Sequence, residues 1–167
     1  YWKDGGQIVP PIDSRLTEEI NGVKYSEIKF KQNKNLIHTL DSSIEELYVE
    51  KSLSFFNKLY PNSEKNLKIV FTSLHGTSHK LIPTLLKKTG FLELKLVDKQ
   101  MTPDGNFTHA KSSNPEDKLA LIDAIEIAKK NNSDLVIGTD PDADRFGIVV
   151  KDFNDDFIQI NGNQSMI

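Results

Sequence analysis

From residue 67 onward, short apolar runs alternate with stretches in which apolar residues recur every three or four positions. The short runs predict buried strands, and the spaced residues predict helices. One helix is expected to start just after Ser78 and another at Asn114. The predicted strands are residues 67–72, 92–97 and 134–138. This alternation predicts an α/β fold in which helices cover both faces of a parallel sheet, as a three-layer α/β/α sandwich.

Local signals refine these elements. Asn114 has the properties of a helix N-cap, with Pro115 at the first helical position, and Gly90 is expected to end the preceding helix. Two later apolar runs, residues 146–150 and 157–160, predict strands that pair as a meander.

The chain before residue 67 carries weaker signals. Asp13 or Ser14 is expected to cap a short helix that stops near Gly22. A capping box at Ser43 is expected to open a longer helix. Residues 23–40 are mixed and polar and support no prediction.

The most informative segment is the acidic loop, residues 139–145, which follows the strand at 134–138. Asp140, Asp142 and Asp144 occupy alternate positions, and Arg145 follows directly. In extended backbone, alternate side chains point the same way, so three like charges would repel each other. Carboxylate oxygens suit Mg²⁺ or Mn²⁺, and the fork of an arginine suits phosphate. The pattern therefore predicts a metal-dependent phosphate site.

Four other interpretations of the acidic loop are possible from the sequence. An EF-hand loop is rejected, because it needs Gly at position six and Glu at position twelve, where Arg145 and Lys151 stand. A solvated acidic turn remains an alternative. The metal loop of a nucleotide-sugar transferase and a non-catalytic domain that retained the fold also stay open.

The loops after the predicted parallel strands, residues 73–78, 98–114 and 139–145, should meet at one edge of the sheet. In sheets of this kind, ligands bind beyond the carboxyl ends of the strands. His75 lies in the first of these loops. A loop-packing role and a role in substrate binding are both open for it.

Charge and composition narrow the function classes. The chain has 167 residues and a formal net charge of −3, which argues against a nucleic-acid or anionic-membrane surface. No stretch approaches the ~20 apolar residues that a membrane span needs. The absence of cysteine excludes disulfides and agrees with an expected cytoplasmic location.

Four pieces of sequence together resemble a known family. They are residues 74–76, 103–105, 114–116 and 139–145. In this order they resemble the second domain of the α-D-phosphohexomutases, the phosphoglucomutase and phosphomannomutase enzymes. The resemblance implies a mainly parallel, mixed four-stranded sheet whose last strand is antiparallel.

The same resemblance implies a division of the chain. Residues 1–11 look like the end hairpin of a first domain, residues 12–160 like the metal-binding second domain, and residues 161–167 like the start of a third. We therefore expect a piece of a larger protein, inactive by itself. The phosphoserine, the sugar-reading loop and the phosphate-gripping loop of the family lie in other domains.

The resemblance also implies an activity. These enzymes interconvert sugar 1- and 6-phosphates through a phosphoserine and a bisphosphate intermediate. Asp140, Asp142 and Asp144 would hold Mg²⁺, and Arg145 would bind substrate and stabilise charge on the transferring group. The expected partners are a hexose 1- or 6-phosphate and the remaining domains of the same chain. Glucose, mannose, glucosamine and pentose phosphates stay equally open as substrates.

Overall fold

A computed structural model describes residues 1–165, which form two compact units, residues 1–40 and the rest of the chain from residue 41. The first unit begins with a turn in which the Trp2 N–H donates to Gly6 O at 2.8 Å. The prediction of a hairpin at residues 1–11 is wrong, because only this turn forms and residues 1–11 contain no strand.

The remainder of the first unit is a helix and two single turns. Helix α1 spans Ile12–Gly22, and 3₁₀ turns follow at Tyr25–Glu27 and Lys34–Leu36. The prediction that Asp13 or Ser14 caps α1 is wrong. Pro11 precedes the first helical residue, and Asp13 lies inside the first turn, where its negative charge suits the helix dipole.

The second unit is built on one sheet, which has five strands in the part of the chain described. Its order is β2-β1-β3-β4-β5. β1 is parallel to β2 and β3, β4 is antiparallel to β3, and β5 is antiparallel to β4. The strands are β1 Ile69–Thr72, β2 Leu94–Leu96, β3 Leu135–Thr139, β4 Phe146–Lys151 and β5 Phe157–Ile160. The mixed α/β sheet is confirmed with five strands instead of four, because the predicted meander adds β5 to its edge.

Four helices accompany this sheet in the described residues. They are α2 Ser42–Leu59, α3 Leu81–Lys88, α4 Ile122–Asn131 and the short α5 Gly162–Ser165. The β1–α3–β2 crossover runs in one direction along the sheet, and the β2–α4–β3 crossover returns past β1. Right-handed crossovers in opposite directions place their helices on opposite faces. α4 packs on β1 and β3, and α3 packs on β2 beside α2, which confirms the three-layer arrangement.

The core follows the register of the strands. Val70, Val136 and Val149 form a row across three neighbouring strands, and all three are fully buried. Ala124 and Ala128 of α4 belong to the same cluster, and their small side chains let the helix approach the sheet. β1 is buried along its whole length, as a central parallel strand should be.

The predicted start of α4 at Asn114 is wrong, since the helix begins at Ile122. Asn114 instead closes a turn, in which its side-chain oxygen accepts from the Glu116 N–H at 3.1 Å. Pro115 O accepts from Gln159 Nε2 at 2.9 Å. A Cβ on Gly147 would lie 2.2 Å from the same carbonyl oxygen. This segment therefore packs against the β4–β5 hairpin, a contact that local sequence signals do not contain.

Two other helix ends differ in how well they agree with the sequence. The prediction that Ser43 caps α2 is wrong by two residues, because the Asp41 carboxylate accepts from the Ser43 N–H at 2.9 Å and the helix begins at Ser42. Gly90 follows the end of α3 with a φ of 104°, which confirms that it terminates the helix.

The domain boundaries expected after residues 11 and 160 stay predictions. The segment 161–167 extends beyond the described residues. Among residues 1–165, no helix combines the length and apolarity needed to cross a bilayer.

Candidate metal-binding site

The acidic loop leaves β3 at the carboxyl edge of the sheet and turns at once. The Ala143 N–H donates to Asp140 O at 3.1 Å, and Ala143 has a left-handed φ of 63°. The Asp140 N–H donates to Arg145 O at 3.2 Å, which closes the loop at its base. The backbone here is a tight turn, so the assumption of extended geometry behind the alternation argument was wrong.

The three carboxylates converge nevertheless. Asp140, Asp142 and Asp144 each offer one oxygen, and these oxygens lie within 4.8 Å of one another. Asp140 is buried, with 1% of its surface exposed, while the other two are exposed. Hard oxygen donors with an open side fit Mg²⁺, which keeps several water or phosphate ligands when bound to protein.

Arg145 fixes the buried carboxylate with two hydrogen bonds. Its backbone N–H donates to Asp140 Oδ1 at 3.0 Å, and its Nε donates to Oδ2 at 2.9 Å. Nε also lies 3.6 Å from Asp144 Oδ1. A carboxylate has about four lone-pair positions, so two bonds leave Asp140 able to bind a cation. The side chain of Arg145 is 59% exposed, and in the described residues its terminal amino groups make no hydrogen bond.

The carboxylates of the acidic loop lie close enough to repel each other, and a bound cation would reduce this repulsion. Burial alone would raise the pKa of Asp140, but the hydrogen bonds from Arg145 outweigh it and lower the pKa, so this carboxyl stays ionised. The pKa of Asp144 is raised by its contact with the Asp140 carboxyl and by the charge of Asp142. Carboxylates this close compete for ionisation, and a bound cation favours the ionised form of each.

A second loop holds the acidic loop from outside. Pro141 O accepts from the Thr77 N–H at 2.8 Å and from Thr77 Oγ1 at 3.1 Å. A Cβ on Gly76 would lie 2.4 Å from Pro141 Cα. Ser78 Oγ lies 2.6 Å from Thr139 Oγ1. No role of Thr77 was predicted from the sequence, although its place in the loop at 73–78 was a usable signal.

His75 lies in the same loop, but its ring contacts a different partner. It is 5% exposed, Nδ1 lies 2.7 Å from Thr102 O, and Nε2 lies 3.1 Å from the His109 nitrogen. Both ring nitrogens are thus used within the protein. The loop-packing role is the one these contacts favour, and substrate binding by His75 stays a prediction.

Comparison with known proteins decides the family. Residues 46–154 match the family described as phosphoglucomutase/phosphomannomutase, alpha/beta/alpha domain II. The chain belongs to the phosphoglucomutase/phosphomannomutase family. The matched residues include strands β1 to β4 and the whole acidic loop.

Members of the phosphoglucomutase/phosphomannomutase family are also similar over nearly the full chain. The phosphoglucomutase of Staphylococcus aureus strain N315 is 40% identical over 168 residues, which cover 98% of this chain and 30% of that protein. The phosphoglucomutase of strain MRSA252 is 39% identical over the same coverage. A phosphoglucomutase/phosphomannomutase family protein from Burkholderia thailandensis superposes with a TM-score of 0.53 at 26% identity, over 69% of this chain and 23% of that one.

These comparisons confirm the resemblance inferred from the motifs. They also set its extent, since the chain spans about 30% of the length of the curated relatives it matches. What the chain contains is domain II of this family.

Proposed function

We propose that this chain is the metal-binding domain of a sugar-phosphate mutase and that Asp140, Asp142 and Asp144 bind Mg²⁺. The observation that carries the proposal is the convergence of three carboxylate oxygens within 4.8 Å on a loop held by its neighbours. Its position beyond the carboxyl ends of parallel strands supports the proposal, because ligands bind there in this architecture.

Different residues of the acidic loop have different roles in phosphate binding. When bound, Mg²⁺ supplies Lewis-acid neutralisation of phosphoryl charge. Arg145 orients the Asp140 carboxylate through Nε, and its terminal amino groups are available to phosphate oxygens. Asp142 and Asp144, being exposed, leave the outer side of the site open. Phosphoryl transfer depends mainly on positioning and charge neutralisation, and these residues provide both.

In the whole protein, we propose interconversion of hexose 1- and 6-phosphates through a phosphoserine and a bisphosphate intermediate. The partners are the sugar phosphate and the other domains of the same protein. A cytoplasmic location belongs to the same proposal. Membership in the family removes the support for a nucleotide-sugar transferase. A non-catalytic domain that retained the fold is the remaining alternative. A measurement of metal binding distinguishes it from the proposal, because such a domain should not bind the metal through these carboxylates.

The test is a Mn²⁺ titration in which electron paramagnetic resonance measures the free and the bound ion. We expect the chain to bind Mn²⁺ and Asp142→Asn to bind at least about tenfold more weakly, since a ligand is lost while the exposed position leaves the fold intact. Glu126→Gln is the matched control, because this exposed carboxylate on α4 lies outside the acidic loop. Equal binding by the chain and Asp142→Asn would contradict the proposal.

A further inference from the structure

The segment from Leu74 to Thr77 has a backbone conformation that its own residues do not favour. Leu74 and His75 have φ values of 46° and 64°, so two consecutive residues with side chains are left-handed. A left-handed conformation is unfavourable for a residue with a side chain, and it persists where surrounding contacts outweigh its cost. The Leu74 side chain is completely buried, and its N–H donates to Thr72 Oγ1 at 3.0 Å.

His75 provides most of the remaining contacts. Its N–H donates to Gln100 O at 2.8 Å, and its carbonyl accepts from the Asp104 N–H at 3.4 Å. Its ring bonds to Thr102 O at 2.7 Å and to the His109 N–H at 3.1 Å. A backbone N–H can only donate, so Nε2 accepts and Nδ1 carries the proton. All four polar groups of His75 thus bind the loop at residues 98–110.

The loop at residues 98–110 is itself attached to the rest of the second unit through Gln100. Gln100 is 1% exposed, and its Oε1 accepts from Thr72 Oγ1 at 2.7 Å. Its Nε2 donates to His109 O at 2.7 Å and to Asp123 Oδ2 at 3.1 Å. The loop is therefore attached to the end of β1 and to the first turn of α4. His75 therefore binds a loop that is itself attached to the core.

The two residues after His75 hold the acidic loop. Gly76 packs on Pro141, and Thr77 donates two hydrogen bonds to the Pro141 carbonyl. A change of the left-handed backbone at His75 would carry Gly76 and Thr77 away from this carbonyl. Pro141 lies between Asp140 and Asp142, so its position sets where these two carboxylates stand.

We propose that His75 is a positioning residue of the acidic loop, which it holds in place by fixing the strained backbone before the Gly76–Thr77 clamp to the loop at 98–110. The role in metal affinity rests on the proposed function above, whereas the role in loop order does not.

The test measures amide hydrogen exchange by NMR in the metal-free chain and in three variants, His75→Ala, His75→Asn and His75→Gln. We expect His75→Ala to raise exchange about tenfold or more at Thr77, Ala143 and Arg145, whose N–H groups make the loop bonds. His75→Asn retains a donor near the Nδ1 position and His75→Gln an acceptor near Nε2. Both should therefore give intermediate exchange, and they keep the test valid should His75→Ala fail to fold.

Val149→Ala is the control for general destabilisation, because it removes two methyl groups from the buried row in β4 without touching the loops. Faster exchange in the His75 variants confined to residues 98–110, or an equal effect of Val149→Ala at Ala143 and Arg145, would overturn the proposal.

A Mn²⁺ titration then separates the two proposals. If the chain binds Mn²⁺ through the acidic loop, we expect His75→Gln to weaken that binding several-fold with the three carboxylates intact. Unchanged affinity would overturn the metal part of the inference. If the chain binds no Mn²⁺, the function proposal fails, and the exchange result still decides whether His75 orders the loop.

Discussion

At Gly76 the loop after β1 passes so close to the acidic loop that no side chain fits. An added Cβ would lie 2.4 Å from Pro141 Cα and 2.6 Å from its carbonyl oxygen. Gly76→Ala must therefore separate the two loops. We expect it to lower the free energy of unfolding by about 1–3 kcal/mol and to weaken Mn²⁺ binding. Urea unfolding and the metal titration measure the two effects.

Gly105→Ala is the matched control, because an added Cβ there meets nothing within 4 Å. Its effect on the free energy of unfolding should stay within about 0.5 kcal/mol. Similar losses for the two substitutions would show that steric contact with Pro141 is not the cause.

Asp104 predicts a pH dependence of stability. The Thr108 side chain and the backbone N–H groups of Asn106 and Thr108 lower the pKa of Asp104 from 3.8 to about 2. A carboxylate with a lower pKa in the folded chain stabilises the fold above its unfolded pKa, and this contribution is lost as pH falls to the folded value. We expect Asp104→Asn to lower Tm near neutral pH, with a difference that shrinks between about pH 4 and pH 2. A Tm difference that is constant over this range would refute the assignment.

Individual residues differ in how far the sequence reveals them. Asp140, Asp142, Asp144 and Arg145 are recognisable because their pattern lies within six consecutive positions. Their convergence nevertheless depends on a turn at Ala143, which the alternation of the three aspartates does not predict. The contacts of His75 and Thr77 join residues far apart in the chain, so no local pattern contains them.

Strands and helices also differ in how well they could be predicted from the sequence. Buried strands could be predicted from short apolar runs, because a strand that is covered on both faces has apolar side chains at consecutive positions. The start of α4 could not, because Asn114 and Pro115 carry a good local signal that packing against the β4–β5 hairpin overrides. The number of strands followed from the apolar runs at 146–150 and 157–160, whereas the family resemblance suggested one strand fewer.

The end of α4 provides a test at the level of one element. Asn132 follows the helix with φ and ψ both 49°, a left-handed conformation that glycine adopts without cost. We expect Asn132→Ala to be less stable than Asn132→Gly by about 1 kcal/mol. Both variants lose the bond from Lys151 Nζ to Asn132 Oδ1, so that loss cancels in the comparison. Urea unfolding of the pair measures the difference.

Asn131, the last helical residue, is the matched control. There the order should reverse, with glycine less stable than alanine by about 0.5–1 kcal/mol. The same order at both positions would contradict the assignment of a left-handed cap to Asn132.

For the whole molecule, the coverage of relatives leads to a prediction about activity. The chain corresponds to 30% of a Staphylococcus aureus phosphoglucomutase, and the proposed chemistry needs a phosphoserine that we expect in another domain. We therefore expect the 167-residue chain to show no interconversion of glucose 1- and 6-phosphate in a coupled assay. That phosphoglucomutase is the positive control. Turnover by the purified chain would refute the assignment of the phosphoserine to another domain.

The strand order β2-β1-β3 also has a consequence during translation. β1 lies between two strands that are made after it, so a nascent chain that ends before β3 has β1 paired on one side only. An open strand edge is a site for pairing with other chains. The loops that hold the acidic loop are synthesised before it, while β3, which carries it, is also the strand that covers β1. The ribosome must therefore complete β3 before the central strand is protected, and the three carboxylates of the acidic loop are synthesised directly afterwards.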